Sequence, residues 1–383
     1  MTRLTEDWIT APGSQAVLAA LDGQGFFVGG CVRNALLNCP VADIDIATPL
    51  VPEDVLARLK AAGIRAVPTG LQHGTVTAVP DQEGIEITTF RTDIETDGRH
   101  AIVNYTTDIR VDAARRDFTM NALYADANGT VIDPLGGLPD LTAGRVRFIN
   151  RAEDRIREDY LRILRFFRFH AWYGQDGIDA DGLAACAALA DGLDQLARER
   201  VGWEFRKLLS AGDPAPAVAS MAASGILMRC LPGAEAAGLA PLVHTEQTHG
   251  LPPDWITRLQ VLGGDAPGRR LRLSNAEKRH LAHLQSCLEE DRHAVAAYRY
   301  GETAAKRAAL IRASAMGGDP TQHHQEIAAG AAQVFPLTAH DLIGAGLEPG
   351  PALGQALKSA EQVWIDSGFD LDKAALLGHV TAK

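Results

Sequence analysis

The sequence predicts an α+β protein, with a mixed head of strands and helices followed by an all-helical remainder. Two features indicate this division. Up to about residue 144, short runs rich in β-branched residues alternate with runs of helical spacing. Beyond residue 145 the strand signal disappears, and apolar residues recur at helical spacing in a segment rich in Ala, Leu and Arg.

Within the head, the residue pattern predicts each element in turn. Strands are expected at GFFVGG (25–30), DIDIAT (43–48), HGTVTAVP (73–80) and GIEITTFRTD (84–93). Helices are expected at CVRNALLN (31–38), EDVLARLKAAG (53–63) and RRDFTMNALYAD (115–126). Residues 92–112 lack clear periodicity and carry several charges, which predicts a loop.

The composition is typical of a globular protein. Of the 383 residues, 46% are apolar and 22% are charged, and no run approaches the roughly 18 apolar residues of a membrane span. No segment near the start has the apolar core of a signal peptide. The five cysteines form no CxxC pair, which indicates free thiols in a reducing compartment, so we expect the protein in the cytoplasm.

The charge is unevenly distributed. The formal net charge of −11 argues by itself against a nucleic-acid partner. Residues 145–170, however, carry 8 Arg against 4 acidic residues, and a second basic cluster follows at 268–280. Local basic surfaces can contact phosphates on an acidic protein, although a solvated helix face explains 268–280 at least as well.

Two aspartates in the predicted strand DIDIAT are the first candidates for chemistry. Side chains two residues apart on a strand share a face, so Asp43 and Asp45 would present adjacent carboxylates. Their repulsion is unfavourable unless a cation lies between them or one of them is protonated. Such carboxylates suit Mg²⁺ bound together with substrate phosphates. The alternative is a chance Asp-x-Asp at a solvated strand edge.

Glu86, which lies between two isoleucines on a later predicted strand, is a candidate for a third carboxylate. If that strand lies beside the first, the three carboxylates would converge. An ordinary surface residue of an amphipathic strand is the alternative for Glu86.

A glycine pair precedes these aspartates at a predicted strand-to-helix turn. Gly29 and Gly30 would leave backbone N–H groups accessible to a phosphate at the start of the helix. Arg33, about one turn later, would add a charge-assisted contact. The spacing fits neither the dinucleotide-binding nor the Walker pattern. For the glycines, a tight turn without a ligand is the alternative.

Six motifs follow one another in a distinctive order. They are GGCVR (29–33), DIDIAT (43–48), EITTFRT (86–92), RRDFTMNALYAD (115–126), DPLGGLPDL (133–141) and REDYLRILRFFRF (157–169). Over about residues 25–210 the chain resembles the class II tRNA nucleotidyltransferases, which are the CCA-adding enzymes and close relatives of bacterial poly(A) polymerases.

The resemblance implies a polymerase-β-like nucleotidyltransferase head followed by an all-α neck, body and tail. We expect the head at 1–144, the neck at 145–215, and the body and tail at 216–383. The implied reaction transfers CMP and AMP from CTP and ATP to a tRNA 3′ end, releases pyrophosphate and uses a two-metal Mg²⁺ site. No membrane and no protein partner is implied.

The resemblance also assigns residues to this reaction. Asp43, Asp45 and Glu86 would be catalytic, Asp43 and Asp45 would bind metal, and Gly29, Gly30, Arg33, Arg116, Asp159, Arg162, Arg165 and Arg168 would bind the nucleotide. The spacing of LARERVGWEFRKLL (196–209) is explained by ion pairs along a helix that supports the neck.

Base selection is expected at REDYLRILRFFRF. Three residues apart on one helix, Asp159 and Arg162 would offer an acceptor and a forked donor to the amino and acceptor edges of cytosine and adenine. Uracil and guanine would place a carbonyl against Asp159. From spacing alone, a plain ion pair between Glu158 and Arg162 is the favoured alternative, and a solvated basic face is the alternative for the arginines that follow.

One residue departs from the family pattern. The family usually has Asp after Gly-Gly-x-Val-Arg, whereas this chain has Asn34, which can form hydrogen bonds but no ion pair. Two other functions stay open from the sequence. One is a poly(A) polymerase or an enzyme that adds only A or only C, and the other is a catalytically silent RNA-binding protein.

Overall fold

The structure is a computed structural model, and it describes residues 2–81, 84–96, 101–175 and 177–381. The chain divides into two units. The first comprises Met1–Ala236 and Gly263–Arg272, and the second comprises Ala237–Leu262 and Leu273–Lys383. The expected divisions after residues 144 and 215 both lie inside the first unit, and they stay a prediction.

The strands of the described chain all belong to the first unit. They are β1 (Phe26–Val28), β2 (Asp45–Thr48), β3 (Arg65–Gly70), β4 (Thr75–Val79), β5 (Ile85–Thr89), β6 (Arg91–Thr96), β7 (Ala101–Tyr105), β8 (Tyr124–Ala125) and β9 (Val131–Ile132). The chain also forms 3₁₀ turns at Leu71–His73, Thr119–Asn121 and Ala190–Gln195.

The helices of the first unit begin before β1 and continue to the end of the unit. They are α1 (Asp7–Thr10), α2 (Pro12–Ala20), α3 (Gly30–Leu36), α4 (Pro52–Ala61), α5 (Ile109–Ala114), α6 (Leu138–Thr142), α7 (Ala152–Glu158), α8 (Leu161–Tyr173), α9 (Ala180–Ala188), α10 (Arg198–Leu209), α11 (Ala215–Ala223), α12 (Ile226–Cys230) and α15 (Pro267–Arg270).

The second unit is helical throughout its described residues. Its helices are α13 (Leu239–Thr248), α14 (Trp255–Leu262), α16 (Asn275–Glu289), α17 (His293–Tyr300), α18 (Glu302–Met316), α19 (His324–Ala331), α20 (Ala339–Gly344), α21 (Pro351–Asp366) and α22 (Lys373–Thr381). A buried ion pair joins the first two helices, with Arg258 Nη2 2.7 Å from Glu246 Oε2. None of the helices described in either unit is long and apolar enough to cross a membrane.

The sheet positions the predicted carboxylates. The order is β3-β4-β5-β2-β1-β8-β9, with β2 parallel to β5 and antiparallel to β1. Ile46, Ala47 and Thr48 are all buried, so β2 is covered on both faces. β5 instead alternates, because Ile85 and Ile87 are buried while Glu86 is exposed.

The predicted division into a mixed head and a helical remainder is confirmed. Beyond β9 the described residues form helices and, apart from isolated bridges, no strand. The predicted helices at 31–38 and 53–63 correspond to α3 and α4. The predicted strand at 43–48 begins only at Asp45, which leaves Asp43 in the irregular segment before β2.

The loop predicted at 92–112 was wrong where the structure describes it. β6 pairs with β7 in an antiparallel hairpin, and α5 follows; residues 97–100 of the prediction lie outside the described residues. The pairing register shifts between Asp93 and Glu95. This irregularity breaks the two-residue alternation on which a strand prediction depends.

The helix predicted at 115–126 was also wrong. The segment forms a 3₁₀ turn at Thr119–Asn121 and then strand β8, which pairs with β1. The Asp117 carboxylate accepts hydrogen bonds from the backbone N–H of Phe118 and from Asn121 Nδ2, and this local bonding competes with a helix. The run from Met120 to Ala125 is buried continuously, so it has no exposed helix face.

Gly202 allows α10 to pack closely against the backbone of Leu271, the C-cap of α15. A Cβ atom at this position would overlap the carbonyl oxygen of Leu271. We expect Gly202→Ala to lower the free energy of unfolding by about 1–3 kcal/mol through overpacking. Denaturant unfolding monitored by circular dichroism measures the change.

The control is Gly354→Ala, in the exposed part of α21, where an added Cβ meets nothing within 4 Å. There the higher helix propensity of alanine should stabilise by up to about 1 kcal/mol. Equal stability changes for the two variants would contradict the close approach of α10.

Candidate active site

The candidate active site includes the Asp45 carboxylate at the start of β2, which is affected by the charges of Asp43 and Glu86. Asp45 and Glu86 are partners in the parallel register, so their side chains lie on the same face of neighbouring strands. Burial raises the pKa of Asp45 to about 6, the charges of Glu86 and Asp43 add to this increase, and Arg116 opposes it. The structure therefore exposes the Asp45 carboxylate to repulsion from both of the other predicted acidic residues.

This acidic group is not a complete metal cage. Among the described residues, no three His, Cys, Asp or Glu side chains lie close enough together to hold a metal ion. The donor chemistry nevertheless fits a hard divalent cation, since Mg²⁺ is usually bound by one or two carboxylates together with substrate phosphates. The crowded charge on Asp45 is the observation that favours such an ion.

The glycine pair forms the predicted turn between β1 and α3. Gly29 has a positive φ of 72°, and its N–H donates to the carbonyl oxygen of Leu123 at 3.0 Å. A Cβ atom at this position would lie 3.3 Å from Arg116 Nη1. Glycine thus satisfies both the backbone conformation and the close approach of the arginine. Gly30 is the first residue of α3.

Arg33 has internal partners in this structure. Its guanidinium is buried and donates to Asn34 Oδ1 at 2.8 Å, to Tyr173 OH at 2.8 Å and to Asn121 Oδ1. It also stacks on the Tyr173 ring, 4.2 Å from its centre. Burial lowers the pKa of Arg33. The opposing effects of Tyr173 and of the Asp117 charge offset only part of this decrease. Arg33 therefore connects α3 with α8.

Asn34 has the neutral hydrogen-bonding role that its amide allows. Its Oδ1 accepts from Arg33, and its Nδ2 donates to the carbonyl oxygen of Pro40 at 2.8 Å. A carboxylate could accept from Arg33 but could not donate to Pro40 when ionised. The amide thereby fixes the segment that leads towards Asp43.

Arg116 belongs to a buried network behind the carboxylates. It donates to Tyr124 OH and to Asp112 Oδ2, each at 3.2 Å, and the tyrosine hydroxyl donates to the same carboxylate at 2.7 Å. Burial would raise the pKa of Asp112, but Arg116 and Arg115 outweigh burial and lower it. The network orients the Arg116 guanidinium beside Gly29.

Asp159 and Arg162 do not lie on one helix, contrary to the prediction. Asp159 is the C-cap of α7 in an extended conformation, and Arg162 lies in the first turn of α8. Arg162 pairs with Glu158, as in the alternative interpretation. Asp159 accepts from Arg200 Nη2 at 2.7 Å. Leu161 N–H also bonds to Asp159, which keeps the α7–α8 junction in place.

Arg165 and Arg168 are anchored by carboxylates from other elements. Arg165 Nε donates to Asp117 Oδ2 at 2.8 Å, and Arg168 Nε donates to Glu204 Oε2 at 2.6 Å. Arg168 is buried, so a solvated basic face does not describe it. Two charged residues of α10 pair with residues outside this helix, since Glu204 pairs with Arg168 and Arg200 pairs with Asp159.

Sequence reasoning missed the partners that hold the candidate nucleotide-binding residues. These partners are Asp112, Asp117, Asn121, Tyr173 and, in this role, Arg200 and Glu204. Asp117 lies 48 positions from Arg165, and Glu204 lies 36 positions from Arg168. No local spacing signals contacts at that separation.

Comparison with known proteins places these features in context. Residues 25–147 match the family described as "Poly A polymerase head domain", and residues 177–237 match "Probable RNA and SrmB- binding site of polymerase A". The CCA-adding enzyme of Limosilactobacillus fermentum is 32% identical, covering 95% of each chain. The mouse mitochondrial CCA tRNA nucleotidyltransferase 1 is 30% identical, covering 92% of this chain and 85% of the mouse protein.

A solved structure agrees with these relatives. The crystal structure of Bacillus stearothermophilus CCA-adding enzyme in complex with CTP has a TM-score of 0.77 and 27% sequence identity. The match covers 97% of this chain and 98% of that enzyme. The similarity therefore extends beyond the head to nearly the whole chain.

The Asp117–Arg165 pair predicts a pH-dependent contribution to stability. Burial would raise the pKa of Asp117, but Arg165 and hydrogen bonds from Asn121 and Phe118 outweigh burial and lower it. The ion pair therefore stabilises the fold above the unfolded-state pKa of about 4, and this contribution is lost as the pH falls towards the folded-state pKa. Asp117→Asn should cost about 3 kcal/mol at pH 7 and progressively less below pH 4.

Urea unfolding of the wild type and of Asp117→Asn at pH 7, 5 and 3 measures the difference in their free energies of unfolding. Asp154→Asn is the control, because Asp154 pairs with arginines at the surface, where its side chain is 58% exposed. Its effect should stay within about 0.5 kcal/mol. A cost for Asp117→Asn that does not change with pH would contradict the ion-pair account.

Proposed function

Because the chain belongs to the CCA-adding enzyme family, we propose that it adds CMP and AMP from CTP and ATP to the 3′ end of tRNA without a nucleic-acid template. The geometric observation that supports this function best is the register of β2 on β5, which places Asp45 opposite Glu86. A binding protein would gain nothing from this repulsion, whereas a nucleotidyltransferase uses it to attract cations.

Asp43 and Asp45 would hold divalent metal ions, and Mg²⁺ is the ion that their oxygen ligands suit. When bound, these ions lower the pKa of the attacking 3′-hydroxyl and stabilise the charge on the triphosphate and on the departing pyrophosphate. Glu86 lies on the neighbouring strand as the third carboxylate. Its part in this proposal is to increase the negative potential around Asp45.

The glycine turn and Arg116 would bind the triphosphate. The backbone N–H of Gly30 offers a donor at the start of α3, Gly29 shapes the turn before it, and the Arg116 guanidinium lies beside Gly29. Because Asp112 and Tyr124 fix Arg116 before the nucleotide arrives, little side-chain entropy is lost on binding. Arg33 would contact a phosphate only by exchanging one of its present neutral partners.

Base selection would use the junction between α7 and α8. Asp159 offers a carboxylate acceptor for the amino group shared by cytosine and adenine, and Arg162 offers guanidinium donors. Their partners Arg200 and Glu158 set the positions of these groups. Arg165 and Arg168, anchored by Asp117 and Glu204, continue the site along α8.

The cellular compartment is a separate proposal. The cysteines are free in the structure, which is consistent with a reducing compartment, and we place the enzyme in the cytoplasm.

Removal of either metal-binding carboxylate is the direct test of the function. Asp43→Asn or Asp45→Asn should reduce CMP incorporation into tRNA lacking its CCA end by at least about 10²–10³-fold, because each removes a charged ligand of the metal. Binding of tRNA should persist. Incorporation of radiolabelled nucleotide and filter binding measure the two properties.

The matched control is Asp54→Asn, an exposed aspartate in the first turn of α4, which should leave incorporation unchanged. Normal incorporation by both Asp43→Asn and Asp45→Asn would show that the metal assignment is wrong. Long A tails made by the wild-type protein on any RNA would instead indicate a poly(A) polymerase.

Asp159→Ala should impair the choice of base. Loss of the acceptor should reduce discrimination against UTP by about tenfold, since one good base contact contributes about 1–3 kcal/mol. Glu158→Gln separates base recognition by Asp159 from the ion-pair interpretation, because it removes the charge that pairs with Arg162 and Arg155 and leaves Asp159 unchanged. The ratio of CMP to UMP incorporation measures both variants. An unchanged ratio of CMP to UMP incorporation in Asp159→Ala would show that Asp159 pairs with Arg200 but does not select the base.

A further inference from the structure

Two tryptophan side chains are exposed on adjacent helices of the first unit. Trp172, near the end of α8, is 48% exposed, and Trp203, in α10, is 52% exposed. Tryptophan is buried in most proteins, and exposed aromatic rings are enriched at binding surfaces. The exposure of two indoles on neighbouring helices is therefore not explained by packing of the core.

Lys207 connects the two indoles into one surface. Its carbonyl oxygen accepts the Trp172 indole N–H at 2.8 Å, and its ammonium lies 5.0 Å from the centre of the Trp203 ring. The guanidinium of Arg206 lies 5.4 Å from the same ring. We call Trp172, Trp203, Arg206 and Lys207 the indole patch. It combines aromatic faces with two cations.

The indole patch is continuous with the residues that bind the nucleotide in our proposal. Trp172 follows Arg168 by one helical turn and Arg165 by two turns, so the three share one face of α8. Lys207 lies one turn after Glu204, the partner of Arg168. Burial lowers the pKa of Lys207, and Asp43 is among the charges that oppose this decrease, so the patch lies within electrostatic range of one candidate metal ligand.

We propose that the indole patch binds the single-stranded 3′ end of the RNA substrate, with bases stacked on Trp172 and Trp203 and phosphates beside Arg206 and Lys207. This inference rests on the proposed function. Aromatic platforms flanked by cations are the common means of binding single-stranded nucleic acid.

The chemistry of the reaction favours stacking over base-specific hydrogen bonds at this position. Each added nucleotide becomes the end of the strand for the next addition, so the surface that holds the strand must accept a changing sequence. Stacking tolerates any base, because every base has a π face. Hydrogen-bonded recognition stays with Asp159 and Arg162, where the incoming base is chosen.

Steady-state kinetics test the inference. Trp172→Ala and Trp203→Ala should each raise KM for tRNA lacking its CCA end by about tenfold, in line with the loss of one stacked base. KM for CTP should change by less than about twofold. Trp172→Phe and Trp203→Phe should restore most of the affinity for tRNA, because phenylalanine retains a stacking face. Met228→Ala, at a residue 54% exposed in α12, is the control and should match the wild type.

Fluorescence supplies a second measurement that does not depend on activity. A single-stranded RNA oligonucleotide should quench the tryptophan emission of the wild type, and the Trp172→Phe, Trp203→Phe double variant should lose most of this quenching. This double variant keeps the aromatic volume, so the test holds even if the alanine variants fail to fold.

Three results would overturn the inference. They are an unchanged KM for tRNA in both alanine variants, an increase confined to KM for CTP or ATP, and a change of oligomeric state that would assign the patch to a protein interface. Failure of the proposed function is distinguishable from these results, because the wild-type protein itself would then incorporate no CMP.

Discussion

The parallel pairing of β2 with β5 is the constraint on which the candidate site depends. It places the Asp45 carboxylate opposite Glu86, and the burial of Asp45 together with the charge of Glu86 raises the pKa of Asp45. Burial of Ile46, Ala47 and Thr48 keeps β2 inside the sheet, where it pairs with β1 on one side and with β5 on the other. The apolar core thus enforces an electrostatic arrangement that the carboxylates would not adopt by themselves.

A second set of interactions, the ion pairs of α8 and of the α7–α8 junction, fixes the candidate nucleotide-binding residues. Arg165 and Arg168 on α8 are each held by a carboxylate from another element, and Asp159 at the C-cap of α7 is held by Arg200. Buried pairs of this kind contribute little net stability but define one geometry, because an unpaired partner would be costly. Beneath them, Phe118, Phe148 and Phe166 form an aromatic cluster that packs α8 against the head. The apolar contacts therefore stabilise the packing of α8, and the ion pairs determine the positions of its arginine side chains.

Much of the fold could be predicted from local patterns, and the failures have physical causes. Helix α4 was evident from its spacing, and the mixed head and helical remainder were evident from composition. The hairpin β6–β7 was not, because its register shift hides the alternation. The segment after Arg116 resembled a helix, but the Asp117 carboxylate bonds its own backbone neighbours and a continuously buried run pairs as β8. At the site, the acidic residues followed from their spacing on predicted strands and the family resemblance from motif order. The contacts of Asp117 and Glu204 depend on tertiary packing across dozens of residues.

The central claim is that the Asp43–Asp45–Glu86 group tolerates its own repulsion because divalent ions arrive with a nucleoside triphosphate. Titration calorimetry with Mg²⁺, in the absence and presence of a non-hydrolysable CTP analogue, tests this claim most directly. We expect weak binding of Mg²⁺ to the protein alone and at least about tenfold tighter binding once the analogue is present, because phosphate oxygens complete the ligand set. No Mg²⁺ binding in the presence of the analogue, beyond that of the analogue in buffer, would contradict the account.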